Sequence, residues 1–314
     1  MRAHAASERI GILYGQPMTV LSECLRGFLM AAPGKELISA DFSNIEGRVL
    51  AWLAGEMWKV EAFRQFDLGN GHDIYVLGYS KSFHVAVELV VDWMRQIGKV
   101  QELALGFGGG KGAFQMMAKG YGIKVSDAQA EEIKVAWREA HPRIVLYWAR
   151  LEAAAMLAIR QPGTIHVAGP ADRPVKYKVS GSFLWCLLPS GRALCYPYPK
   201  VEMKMKKWGA EKDTITYMAW DSMKKRWERT ETYGGSLSEN VTQAVARDCL
   251  TDAMFRAEDA GFPVVLHVHD EVVCEIDKGS RELKEFEQMM GVIPAWATGL
   301  PIAAKGWCGR RYRK

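Results

Sequence analysis

Apolar positions along the chain fall into three regimes. Residues 17–32 predict a short helix. A second helix opens at Ser43-Asn-Ile-Glu46, carries Ile45, Val49, Leu50 and Leu53 at helical spacing, and closes at Gly55. Between them, Glu36-Leu-Ile-Ser-Ala40 is a short apolar run that predicts a buried strand ending at Asp41. Residues 82–105 predict one long helical region, broken by glycines at 106, 108, 109, 110 and 112, and a further helix covers 145–160. From 161 to 236 the period shifts toward two, with Gly and Pro at the turns, and predicts strands at 164–167, 175–179, 183–188, 193–196 and 214–220. Residues 240–259 return to helix. Residues 264–269 and 272–276 alternate around Asp270-Glu271 as a hairpin. Helix-rich ends around a strand-rich middle define the α+β class.

Two acids stand where the pattern makes them costly. Asp41 ends an apolar strand, and Asp270 sits at the tip of a hairpin with apolar arms. A carboxylate there needs a partner or a cation. Two brought together would repel, and divalent ions about 3.5–4 Å apart would relieve that while activating a hydroxyl nucleophile and stabilising a leaving group. The alternative is a helix-entry residue and a polar turn. His267-Val-His269 has a spacing that zinc tolerates, without an evident third ligand. Ser43-x-x-Glu46 also matches a capping box, in which Ser and Glu satisfy free helix amides.

Arg95, Lys99, Leu103 and Phe107 recur every four residues, placing two cations, an apolar group and a ring along one helix stripe. That arrangement suits a triphosphate and a base. It equally suits an amphipathic helix with a solvated basic edge. The Gly106–Lys111 stretch lacks the spacing of a phosphate-binding P-loop.

Composition narrows the picture less. The 314 residues, 49% hydrophobic, suffice for a sizeable core, and a net charge of +5 agrees with a polyanionic partner without requiring one. Six scattered cysteines show no C-x-x-C pair, so neither a zinc framework nor a disulfide scaffold is indicated, and a reducing cytoplasm is expected. Met1 to Arg9 have no long apolar run behind their charges, so no secretion signal is read. No stretch reaches the ~18 apolar residues of a membrane span.

Together these segments resemble a known family. Asp41-Phe-Ser-Asn-Ile-Glu-Gly-Arg48, followed by Val49-Leu-Ala-Trp-Leu-Ala-Gly55, resembles motif A of family A (polymerase I-like) DNA polymerases. Arg95 through Lys99 and Leu103 to Phe107-Gly108 resembles motif B, and His269-Asp270-Glu271 in its apolar hairpin resembles motif C. Asp73-Ile-Tyr75, Leu188-Pro-Ser-Gly-Arg192 and Asn240-Val-Thr-Gln243 with Ala246-Arg247-Asp248 resemble connecting segments, and Gly306 to Tyr312 leans toward phage-type members. The likeness covers nearly the whole chain from about residue 20.

The resemblance implies a polymerase palm, an antiparallel sheet with helices, plus helical fingers. Residues 1–60 would be the N-terminal palm, 61–160 the fingers, 161–236 a strand-rich return, and 237–314 the C-terminal palm. It implies DNA-directed DNA synthesis from dNTPs on primer-template DNA with two Mg²⁺ ions, Mn²⁺ being an alternative. Asp41 and Asp270 would ligate both ions, with the Phe42 carbonyl joining and Glu271 an outer ligand. Glu46 would exclude a ribose 2′-hydroxyl. Arg95 and Lys99 would hold phosphates, Lys99 also protonating pyrophosphate. Leu103 would lie against the sugar and base, and Phe107 near the template base. Tyr75, Gln243, Arg247 and His269 would position nucleotide, template or primer. Family A usually carries an aromatic at Leu103 and a Tyr at Phe107, and Asn240 is out of register by one. Only 40 residues precede Asp41, so thumb and exonuclease domains are expected to be absent from this chain. Weak, salt-dependent grip on DNA follows, offset in part by basic stretches at 200–212 and 310–314. The alternative reading is a truncated or split-polymerase subunit that binds nucleic acid but needs a separate chain, supplying thumb or exonuclease, for activity.

Overall fold

The computed structural model describes residues 9–205 and 209–313. Most of the opening segment read for a secretion signal, and positions 206, 207 and 314 of the basic stretches, lie outside the described residues. In chain order, the first elements are α1 (Pro17–Phe28), β1 (Lys35–Phe42), α2 (Ile45–Ala54), α3 (Met57–Asp67), α4 (Ile74–Phe83) and α5 (Asp92–Leu105). Next come α6 (Lys111–Gly120), α7 (Asp127–Ala140), α8 (Pro142–Arg160), β2 (His166–Ala168), β3 (Val175–Ser180), β4 (Phe183–Leu187) and β5 (Ala193–Pro197). The chain continues through β6 (Lys200–Met205), β7 (Glu211–Asp221), β8 (Arg226–Thr232) and α9 (Gly234–Asp259). It closes with β9 (Val264–Val268), β10 (Glu271–Asp277), α10 (Leu283–Met290) and β11 (Ala304–Gly309). The described residues form two compact units, one of 9–43, 250–292 and 303–313, the other of 44–249 and 293–302. No helix among the described residues is long and apolar enough to cross a membrane.

The first unit is built on an antiparallel sheet in the order β11-β1-β10-β9. The two central strands bury successive residues rather than alternate ones: Leu37, Ile38, Ser39 and Ala40 in β1, and Glu271 through Cys274 in β10. That double-sided burial explains the continuous apolar runs. The edge strand β9 alternates half-buried and exposed residues. Helix α10 packs on β1 and β11, burying Phe286 and Met290. Gly306 makes room for this layer, because a Cβ there would stand 2.1 Å from the Ser39 carbonyl oxygen and 3.0 Å from a Leu283 methyl.

The second unit holds the helices and two further sheets, β2-β3-β4-β5 and β6-β7-β8. Helix α8 packs against β2 and β3 through small residues, with Ala154, Ala155 and Ala158 buried. Its N-terminus lacks a local side-chain cap. Glu56 supplies one, its Oε2 accepting the N–H of Arg143 at 2.9 Å and of Ile144 at 3.4 Å. Burial pushes the Glu56 carboxyl up, against those bonds. Helices α4 and α5 approach closely at Gly98, where a Cβ would fall 2.1 Å from the Tyr75 carbonyl oxygen.

Several expected boundaries change. The helical region read at 82–105 is interrupted. His84 takes a left-handed φ of 53°, a 3-10 turn follows at Val87–Leu89, and α5 begins only at Asp92. Valines at 85, 87, 90 and 91 disfavour helix across the gap. Helix α1 stops at Phe28 because Leu29 is extended and Met30 bridges Arg311. Strand β8 escaped the pattern because it is polar along most of its length, whereas β6 alternates as Lys200-Val-Glu-Met-Lys-Met205 and lies in the stretch read as basic instead.

Candidate active site

The strand ends of the first unit bring the backbones of the two acids together. In the antiparallel register Asp41 lies opposite Glu271, and the Phe42 N–H donates to the Asp270 carbonyl oxygen at 3.1 Å. Asp41 and Asp270 are half-buried, and His269 is exposed at the turn with a φ of 52°. Asp41, Ser39 and Glu271 share one face of the sheet by strand alternation. Glu271 is 2% exposed and turned inward along that face. Its carboxylate accepts the Ser39 hydroxyl at 2.6 Å and the Tyr312 hydroxyl at 2.5 Å. Burial, with Glu271 as partner, pushes the Tyr312 phenol up to about 12.

The second unit carries the remaining predicted residues. Asn44 is the N-cap of α2 in a left-handed conformation with no side-chain cap bond of its own, and the Ser43 N–H donates to the Ala303 carbonyl oxygen. Counted from Asn44, the third helical position is Gly47. Glu46 is exposed and accepts from Gln243 Nε2 at 3.3 Å. A concavity of about 50 Å³ is lined by Asn44, Glu46, Gly47, Glu102, Leu103 and Phe107, among others. Three predicted residues, Glu46, Leu103 and Phe107, thus share one pocket.

The cations of α5 lie further along the same stripe. Arg95 Nε donates to Asp73 Oδ2 at 2.7 Å, its Nη2 contacts the same oxygen, and the guanidinium lies 5.3 Å from the Tyr75 ring centre. The other oxygen of Asp73 caps α4, accepting the N–H of Tyr75 at 2.7 Å. Lys99 Nζ sits 4.9 Å from the Tyr121 ring. Gln243 and Arg247 are exposed one turn apart on α9. Beside them, Asp248 accepts from Ser190 Oγ and from Arg192 Nε, each at 2.5 Å, docking the Leu188–Arg192 segment on the helix.

Sequence reasoning missed three groups. Asp73, the anchor of Arg95, was detectable as an acid just before an apolar helix start. Asp248 stood in a segment quoted for the resemblance but received no role there, and the Lys59–Glu102 pair had no pattern of its own because its members are distant in sequence.

The donor set fits a hard divalent cation. Two carboxylates on neighbouring strand ends suit Mg²⁺, which is held by few protein oxygens and completed by substrate phosphates. Among the described residues no group of three or more His, Cys, Asp or Glu side chains is placed to hold a metal ion.

The first unit is thus an antiparallel sheet with two acids at its central strand ends, and the second carries a helix with two cations along it and an acid and aromatic pocket at its end. Residues 16–159 match the model of DNA polymerase family A. The chain is 40% identical to the DNA polymerase of Bacillus phage SP02 over 311 residues, which is 98% of this chain and 46% of that protein. It is 31% identical to DNA polymerase I of Treponema pallidum over 123 residues, covering 39% of this chain and 11% of that one. In fold it resembles the POL domain of Pol1 from M. smegmatis, solved in complex with DNA primer-template and dNTP. That match has a TM-score of 0.56 at 18% identity over 92% of this chain and 42% of that one. The chain is thus similar to DNA polymerase family A over residues 16–159 and to a phage DNA polymerase over nearly its whole length, and it spans less than half the length of that phage relative.

Proposed function

We propose that the chain adds deoxynucleotides to a primer 3′-hydroxyl under the direction of a DNA template. The observation that carries this reading is the adjacency of the Asp41 and Asp270 strand ends, supported by the similarity to DNA polymerase family A. Asp41 and Asp270 would hold two Mg²⁺ ions, with the Phe42 carbonyl beside them. The ions, when bound, lower the pKa of the attacking hydroxyl and neutralise charge on the leaving pyrophosphate. Glu271 anchors the His269-Asp270 turn from behind, through Ser39 and Tyr312, and is at most an outer ligand.

Arg95 and Lys99 bind the triphosphate, Lys99 supplying a proton to the departing pyrophosphate. Glu46 closes the sugar pocket to a 2′-hydroxyl, Leu103 lies on the sugar and base, and Phe107 meets the template base. Tyr75, Gln243, Arg247 and His269 position nucleotide, template and primer. The palm comprises residues 1–60 and 237–314, the fingers 61–160, and the strand-rich return 161–236.

Primer extension by the purified chain, beside its Asp270→Ala variant, tests the proposal. Template-coded extension by the first and none by the second is expected. No extension by the unsubstituted chain would contradict it.

A further inference from the structure

The concavity that holds Glu46 and Leu103 has a second acid in its wall, Glu102, and that acid is fixed from behind. Lys59 Nζ lies 2.6 Å from each Glu102 oxygen. The lysine is 0% exposed, and the Glu102 side chain 10%. A fully buried lysine is rare, and an apolar pair of similar volume would hold the two helices at least as well. Stability alone therefore does not account for the pair.

Gly47 completes the arrangement. A Cβ there would stand 2.6 Å from Glu102 Oε1 and 2.6 Å from Asn44 Oδ1, so only glycine lets the carboxylate settle on α2. The glycine is accepted in the first turn of α2 despite its poor propensity. Among the described residues, Asn44 Nδ2 is buried without a hydrogen-bond partner in the same corner. Glu102 precedes Leu103, so holding its side chain fixes the roll of α5 and hence where Leu103 faces. The space left, about 50 Å³, is on the scale of one or two water molecules.

We propose that the Lys59–Glu102 pair, seated on Gly47, is a specificity-determining element that sets the depth of the sugar pocket and so the exclusion of ribonucleotides. The proposal rests on the reading of Glu46 as the residue that meets the 2′-position. Lys59 and Glu102 act here as positioning residues. Loosening α5 from α2 widens the concavity and admits the extra hydroxyl.

Single-nucleotide incorporation with a dNTP and its matching rNTP, resolved into kcat and KM, tests this in four proteins: the full chain, Glu46→Ala, Gly47→Ala and the double variant Lys59→Met/Glu102→Met. The double variant removes both charges together and leaves no buried ion unpaired. Both the Gly47→Ala and the double variant should lower the deoxy-to-ribo ratio of kcat/KM by at least about tenfold, mainly by improving rNTP incorporation. A merely structural pair would shift the melting temperature and leave the ratio alone. A double variant that melts like the full chain and keeps its ratio within about threefold overturns the inference. If the double variant does not fold, Gly47→Ala decides by the same criterion. If Glu46→Ala also leaves the ratio unchanged, the reading of the sugar pocket itself fails, which is a separate result. A full chain that incorporates no nucleotide overturns both.

Discussion

Phe42 donates its backbone N–H to the carbonyl oxygen of Asp270 at 3.1 Å. That bond ties the residue after Asp41 to the second acid, although 228 positions of chain separate Phe42 from Asp270 (270 − 42). It is a backbone contact at the end of a central strand pair, so it fixes the place of both acids independently of side-chain choice. Substituting either carboxylate should remove chemistry without dissolving the sheet.

The inward-turned Glu271 gives the first expectation. Tyr312→Phe deletes a donor to a carboxylate that is 2% exposed, and Ser39 remains as its other partner. Loss of one hydrogen bond to a buried charged group should lower stability by about 1.5–3 kcal/mol. Urea denaturation of the two proteins measures it, and equal midpoints would show that the tyrosine does not hold the acid.

Leu103, proposed to lie on the sugar, has no polar side-chain atom. Leu103→Tyr should raise dideoxynucleotide incorporation relative to the normal dNTP by at least about tenfold. Competition between the two nucleotides on one primer-template checks it. An unchanged ratio would remove Leu103 from the sugar pocket.

Arg95 is held by Asp73, which also caps α4. Asp73→Ala should cost about 1 kcal/mol in stability through the lost cap. It should also raise KM for dNTP several-fold, because the guanidinium loses its bracing partner. A stability loss with unaltered KM would mean that Asp73 only caps the helix.

His141 predicts a pH dependence. It is 1% exposed, its ring is 4.1 Å from that of Trp137, and its Nδ1 bonds the Trp137 carbonyl oxygen at 2.8 Å. Burial, aided by the positive charge of Lys59, holds its pKa well below 6.5. The folded imidazole therefore stays neutral while the unfolded one takes up a proton below about pH 6.5. The unfolded state binds more protons, so this group's contribution is complete above that pH. It is lost on acidification, at up to about 1.4 kcal/mol per pH unit, until the folded pKa is reached. Denaturation of the full chain and of His141→Phe at about pH 7.5 and 5.5 isolates the effect. The variant should lose less stability between the two, and parallel losses would contradict the assignment.

The parts of this architecture that local pattern could reveal were those in which burial and chemistry coincide on a short stretch. Asp41 and Asp270 stood out because each ends an apolar run where a carboxylate is costly. The Arg95–Phe107 stripe stood out because helical spacing is strict. Lys59 did not, since a lysine in a mixed helix looks solvated until its partner, 43 positions on, is placed beside it. The break between α4 and α5 was missed because valines carry apolar periodicity while resisting the helix.

Counting the Mn²⁺ ions bound by the chain tests the central claim, that Asp41 and Asp270 share divalent cations, most directly. The count is made by electron paramagnetic resonance with primer-template and a non-hydrolysable dNTP present. About two ions per chain are expected. Asp41→Ala and Asp270→Ala should each lose at least one while still binding DNA. Full occupancy in both variants would contradict the account.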